Sequence, residues 1–286
     1  MCTEDELHDH GEYALSRRTF GAAAAAAGLI GATSAHAANV VEKDVTVKTA
    51  DGVSDAALFY PEGKGPWPAV LVWPDIMGLR PAFRDMGRRL AAEGYVVLVP
   101  NPFYRDRKAT DIAGKIDFMK PEERQVLMGM AGNVTKAASA VSDGTAYIAF
   151  LDAQPQVDKK KGVGVQGYCM GGPLTVRTAA AVNGRVRAGA SFHGGGLTTD
   201  TPDSPHLLAP KLKGGYLFAV AKNDDAKDPE SKVKLKAALD AAKVPATVEV
   251  YGGDHGWTVP GGAVYNQAEA ERAWAALLAL YKKQLA

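Results

Sequence analysis

The chain has 286 residues, 47% of them hydrophobic and 8% aromatic, with 33 basic and 32 acidic side chains and a formal net charge of +1. That composition is ordinary for a globular protein able to bury a sizeable core, in one large α/β domain or two small ones. So mild a charge, with no basic block or aromatic-interleaved stripe, argues against a nucleic-acid partner.

Residues 1–37 differ from the rest. Ser16-Arg17-Arg18-Thr19-Phe20 precedes an alanine-dominated apolar stretch at 21–31, and Ala35-His36-Ala37 follows as a small-residue cleavage site. Together they predict a twin-arginine signal peptide rather than an arginine-capped, alanine-rich cytosolic helix. The stretch is far short of the roughly 20 residues that cross a bilayer, and no later segment comes close. The mature chain is therefore expected to be soluble, to begin near Ala38, and to be exported to the periplasm by the Tat machinery without stable membrane insertion. It keeps 31 basic and 27 acidic residues. Cys2 precedes the apolar run, the wrong side for a lipoprotein cysteine, and its loss leaves Cys169 as the one thiol. An unpaired thiol in an oxidising compartment is usually avoided or put to use. The alternative is a small buried hydrophobe.

From Val41 onward, short β-branched runs alternate with longer helical ones. Strands are predicted at 45–49 and 56–60 around Asp51-Gly52, then at 69–73 and 95–100, with a helix over 81–93 between the last two. Residues 101–132 are polar and irregular, with one short helix over 121–130, followed by an alanine-rich helix over 136–151. Strands at 163–166, 188–192, 216–220 and 247–251 then alternate with helices over 171–181, 231–242 and 267–285. This order predicts a single α/β domain over 38–286, with a mostly parallel sheet covered by helices on both faces.

Within it, the strand ending near Gln166 runs directly into Gly167-Tyr168-Cys169-Met170-Gly171-Gly172 and then a helix. Gly-x-Cys-x-Gly between strand and helix is the pattern of a nucleophile elbow with cysteine for serine. The sharp turn leaves no room for side chains on its flanks, and the helix N-terminus favours thiolate over thiol. Met170 N–H, just past the nucleophile, is the first expected oxyanion donor. An elbow calls for an acid and then a histidine, each after a later strand. Lys222-Asn223-Asp224-Asp225 and Gly253-Asp254-His255-Gly256-Trp257 stand in those places, so Cys169, Asp224 and His255 are the expected triad. Asp225 and Asp228 are alternative acids. Of the other mature histidines, His206 lies in a polar loop. His193, in Phe192-His193-Gly194-Gly195-Gly196, follows the wrong strand for a lipase-type oxyanion motif, leaving a substrate-pocket role or a turn. The early loop Pro74-Asp75-Ile76-Met77-Gly78 should supply the second oxyanion amide, from Ile76, with Asp75 beside the sulfur.

With these residues in view, the whole mature chain resembles the dienelactone hydrolase family, cysteine-nucleophile enzymes of the α/β-hydrolase fold. The resemblance rests on the elbow, the acid loop at Asp224, Asp254-His255-Gly256-Trp257 and Asp75-Ile76-Met77-Gly78. It implies hydrolysis of an ester or lactone through a thioester on Cys169, with His255 as base and acid and Asp224 orienting it. It also implies that Asp75 stands where the best-known members carry a glutamate that activates the thiol. Members that bind the carboxylate of dienelactone use an arginine four residues after the histidine. Here that place is Val259, with Arg84 and Arg105 as candidates to replace it.

Three other readings compete. A thiol redox cycle would need a resolving cysteine, which the mature chain lacks. A metal would need ligands spaced as His-x-x-x-His, and none accompany Asp254-His255. No metal or cofactor is therefore expected. A catalytically idle α/β-hydrolase-fold binding protein is the alternative that only activity measurements separate from the enzyme.

Overall fold

A computed structural model describes residues 39–286. The export-signal reading of residues 1–37 lies outside them. β1 (Val40–Thr49) forms an antiparallel hairpin with β2 (Gly52–Pro61), and β2 in turn pairs antiparallel with β4 (Val96–Pro100). β3 (Ala69–Trp73), β5 (Val163–Tyr168), β6 (Val186–Phe192), β7 (Gly215–Ala221) and β8 (Ala246–Tyr251) lie parallel to β4. The eight strands form one sheet in the order β1-β2-β4-β3-β5-β6-β7-β8. The expected mostly parallel sheet is what is observed.

Strand periodicity divides the core in two. Leu71 and Trp73 of β3, Val96 and Leu98 of β4 and Val163 and Val165 of β5 point to one face. There they meet α2 (Pro121–Val134), α3 (Ala137–Asp152), α4 (Gly171–Ala181) and α6 (Pro229–Ala241). The alternate residues Val70, Val72, Val97 and Val99 meet α1 (Pro81–Ala92) and α7 (Gln267–Gln284) on the other face. Both faces being covered explains why the central strands are continuous apolar runs. Proline opens α1, α2 and α6, where the missing N–H costs nothing. Asn266 caps α7 by accepting the Glu269 N–H.

Several elements differ from expectation: β2 begins at Gly52 rather than 56 and α2 runs to Val134 rather than 130. β1 begins at Val40 rather than 45, because Glu42-Lys43-Asp44 lies on an edge strand where charged side chains face water and hide the alternation. The acid loop is a six-residue helix, α5 (Lys222–Lys227), which buries no side chain and so carries no apolar period to read. Among the described residues, no helix is long and apolar enough to cross a membrane.

One buried network anchors the irregular stretch after β4. Asp143 of α3, wholly buried, accepts two Arg105 nitrogens at 2.7 and 2.8 Å and the Tyr104 hydroxyl at 2.7 Å. Arg105 also grips Asp51 at the hairpin tip, and Tyr104 accepts from Thr49. Removing one member of a buried ion pair strands the other, at a cost of about 3–5 kcal/mol. Asp143→Ala is therefore expected to lower unfolding free energy in urea by about 3 kcal/mol. Asp111→Ala, which breaks an exposed pair with Lys115, should cost less than about 1 kcal/mol. Equal losses in the two variants would show that the network does not hold this stretch.

Candidate active site

The connection from β5 to α4 turns at Cys169, whose φ is +53°, a left-handed conformation that costs a non-glycine residue about 1–3 kcal/mol. Bare neighbours make the turn possible. A Cβ on Gly167 would lie 2.0 Å from the Gly171 carbonyl oxygen, and one on Gly171 would lie 2.5 Å from the carbonyl oxygen of Trp73. The absence of a side chain at Gly171 thus lets the end of β3, and with it the start of the loop carrying Asp75 and Ile76, close against the elbow. Among the described residues, neither the Met170 nor the Ile76 N–H has a protein acceptor.

His255 follows β8 in a tight loop folded over the buried Trp257, which stacks on Tyr251 with ring centroids 5.4 Å apart. Its Nδ1 lies 2.6 Å from Asp224 Oδ2, in the first turn of α5, and the Cys169 thiol is close enough to act on its proton affinity. The structure therefore brings Cys169, Asp224 and His255 together. Asp225 instead pairs with Lys232, Asp254 with Lys222, and the Asp228 side chain makes no capping bond at the start of α6. Burial works against a charged His255 ring. The hydrogen bonds to Asp224 and Cys169, with the negative charges behind them, outweigh it and raise the histidine to about 10.

Two residues that hold this geometry drew no notice in the sequence. Asn223 Oδ1 accepts the His255 N–H at 2.8 Å, while Lys222 N–H donates to Gly253 O at 3.0 Å, so the acid and histidine loops are lashed together. An asparagine beside the acid was the available signal. Arg80 meets Asp75 through both nitrogens at 2.6 and 2.8 Å. Asp75 also accepts the Met77 N–H at 2.9 Å, closing an Asx turn. Cys169 is not among its hydrogen-bond partners.

His193 lies at the end of β6, buried beneath the elbow, with its ring centroid 4.9 Å from that of His255. His206 bonds Ser204, away from the triad. Val259 is buried in the histidine loop at 3% exposure. Both arginines that were candidates for its place are held elsewhere: Arg84 by Glu42 and Asp44, Arg105 by Asp51 and Asp143.

A model of the dienelactone hydrolase family matches residues 54–285. A protein of Synechocystis sp., to which carboxymethylenebutenolidase activity is provisionally ascribed, is 29% identical over 230 residues, 79% of this chain and 89% of its own length. A carboxymethylenebutenolidase of Rhodococcus opacus is 28% identical over 183 residues, 64% of this chain and 66% of its own. Among solved structures, a protein of Klebsiella pneumoniae provisionally described as a dienelactone hydrolase aligns with a TM-score of 0.73 at 24% identity, covering 86% of this chain and 99% of that one. At that identity the likeness speaks to the fold, which is that of the α/β-hydrolases.

Proposed function

The chain belongs to the dienelactone hydrolase family and is a carboxymethylenebutenolidase-like hydrolase; from this premise we propose that it cleaves a carboxylic ester or lactone through Cys169, His255 and Asp224. The observation that carries this reading is the His255 ring, whose Nδ1 lies 2.6 Å from the Asp224 carboxylate and whose proton affinity the nearby Cys169 sulfur raises.

In the proposed cycle the thiol proton resides on His255, and the Cys169 sulfur attacks the carbonyl carbon. As the S–C bond forms, an electron pair moves to the carbonyl oxygen, facing the Met170 and Ile76 N–H groups. Collapse re-forms the carbonyl and breaks the C–O bond. The departing oxygen, which in a lactone stays tethered to the acyl chain, takes the proton from His255. Neutral His255 then removes a proton from water as the water oxygen attacks the thioester. The second collapse expels the Cys169 thiolate, frees the carboxylic acid and leaves His255 protonated again. The causes of the raised His255 value support this order of events. Two of them, the hydrogen bond that His255 donates to the Cys169 sulfur and the charge of that sulfur, vanish when the sulfur is acylated. The histidine becomes less basic once it has delivered its proton, and so can stay neutral until water arrives.

The thiol-activating role proposed for Asp75 requires its pair with Arg80 to open. While the pair is closed, the carboxylate shapes the loop that carries Ile76. Residues 1–37 we assign to twin-arginine export, with residues 38–286 as a periplasmic hydrolase domain. The support is the arginine pair, apolar run and Ala-x-Ala site.

Rapid acid quenching during turnover of a small aryl ester, followed by mass spectrometry, tests the mechanism. The expected result is an acyl adduct on the peptide bearing Cys169, reaching about half of the enzyme or more if deacylation limits turnover. Cys169→Ala protein should carry none. Sustained ester hydrolysis by enzyme whose Cys169 is already fully alkylated would overturn the proposal.

A further inference from the structure

His193 sits at φ +41°, 1% exposed, with its backbone N–H bound to Ala219 O at 2.8 Å. Its ring reaches in three directions. Nδ1 lies 3.2 Å from the Cys169 N–H, which it accepts together with the Phe192 carbonyl at 3.1 Å. Nε2 lies 2.9 Å from Thr258 Oγ1, and the ring edge meets His255.

These partners fix its chemical state. A ring nitrogen that accepts a backbone N–H carries no proton, so the proton sits on Nε2 and points at the Thr258 oxygen. Burial, with the His255 charge beside it, holds His193 well below the ordinary histidine value. It is thus a neutral ring of one tautomer, touching the nucleophile's own amide on one side and the base on the other. Trp257 closes the remaining side, its ring centroid 5.2 Å away.

We infer that His193 is a positioning residue for the Cys169–His255 pair: by accepting the Cys169 N–H through Nδ1 while its edge supports the His255 ring, it sets the separation between sulfur and imidazole. The role rests on the reading of Cys169 as nucleophile. Thr258 takes part through the tautomer. Without an acceptor at Nε2 the buried proton is unpaired, and moving it to Nδ1 would set two N–H groups against each other at the elbow.

Four variants test this, with kcat, KM, thermal midpoint and the rate of Cys169 alkylation by iodoacetamide as readouts. His193→Phe keeps a ring but removes both nitrogens. It should lower kcat by about 10²-fold, the scale of an ångström-sized misplacement in an active site, with KM within about threefold of wild type. His193→Asn offers an amide oxygen at the Nδ1 position, tolerates the positive φ, and should recover at least about tenfold of that loss. Thr258→Val, which leaves the backbone at 193 untouched, should lower kcat by about tenfold, and Thr258→Ser should restore it. Alkylation rates should follow kcat. Wild-type kcat in both His193→Phe and Thr258→Val would overturn the inference, as would losses in all four variants that follow the thermal midpoint instead of the hydrogen bonds. Cys169→Ala separates the two levels. If it stays active, the nucleophile reading fails and this inference falls with it. If it is silent while the His193 and Thr258 variants turn over normally, only the positioning role is lost.

Discussion

Cys169→Ala is expected to lower kcat/KM on a small aryl ester by about 10⁴-fold or more, the scale seen when the nucleophile of a covalent hydrolase is removed. The size of the effect follows from what remains. The Met170 and Ile76 amides and His255 survive the substitution, yet no atom is left to form the acyl bond, and water has no shaped position at the elbow. The loss should fall on kcat, since one small side chain at the base of the site contributes little to ground-state binding. Folding should be nearly unchanged, because alanine meets the same backbone constraint at φ +53° as cysteine does. Initial rates with and without EDTA measure this directly. An alanine variant within tenfold of wild type would remove Cys169 from the chemistry, and loss of wild-type activity in EDTA would bring in a metal.

Asp224→Asn should lower kcat by about 10³ to 10⁴-fold, while Asp225→Asn stays within about threefold of wild type. An amide at 224 can turn its N–H groups toward His255 Nδ1, which stabilises the tautomer that cannot take the thiol proton. Asp225 is tied to Lys232 and faces away. The same pair predicts a pH signature. In wild type His255 keeps its proton to about 10, against 6.5 for a free histidine. Its folded value is the higher one, so its contribution to stability is whole below about pH 6.5, declines as pH rises further, and is gone above about 10. Asp224→Asn removes the hydrogen bond that comes first among the raising causes, and the carboxylate charge with it. The stability gap between wild type and variant in urea should therefore be widest near pH 6 and close toward pH 10. The alkaline fall in the acylation rate should move to lower pH in the variant. A gap that widens with pH, or equal rate losses at 224 and 225, would assign the acid elsewhere.

Much of the fold was legible because strand and helix periods are local properties. The run at 69–73 is apolar for the same reason that it is central, with helices on both faces. The elbow was legible because its chemistry is written in adjacent glycines. The choice between Asp224 and Asp225 was not, since it depends on the phase of α5, a helix with no buried residue to announce it. The partner of Asp75 was missed because the expectation concerned a sulfur far along the chain, whereas Arg80 is five residues away. His193 was weighed against a linear motif and set aside. Its contacts come from β6 lying beside β5, a fact of strand order that no local pattern carries.

The order in which the site's parts occur along the chain also matters during synthesis. Cys169 comes 86 residues before His255. At roughly 5–20 residues per second, the ribosome makes the thiol several seconds before the histidine proposed to activate it. Until synthesis reaches Lys222 the nascent chain holds the elbow sequence but neither α5 nor β8. Under the proposed mechanism, hydrolysis is thereby withheld from every incomplete chain until the loop after the last strand of the sheet has been made.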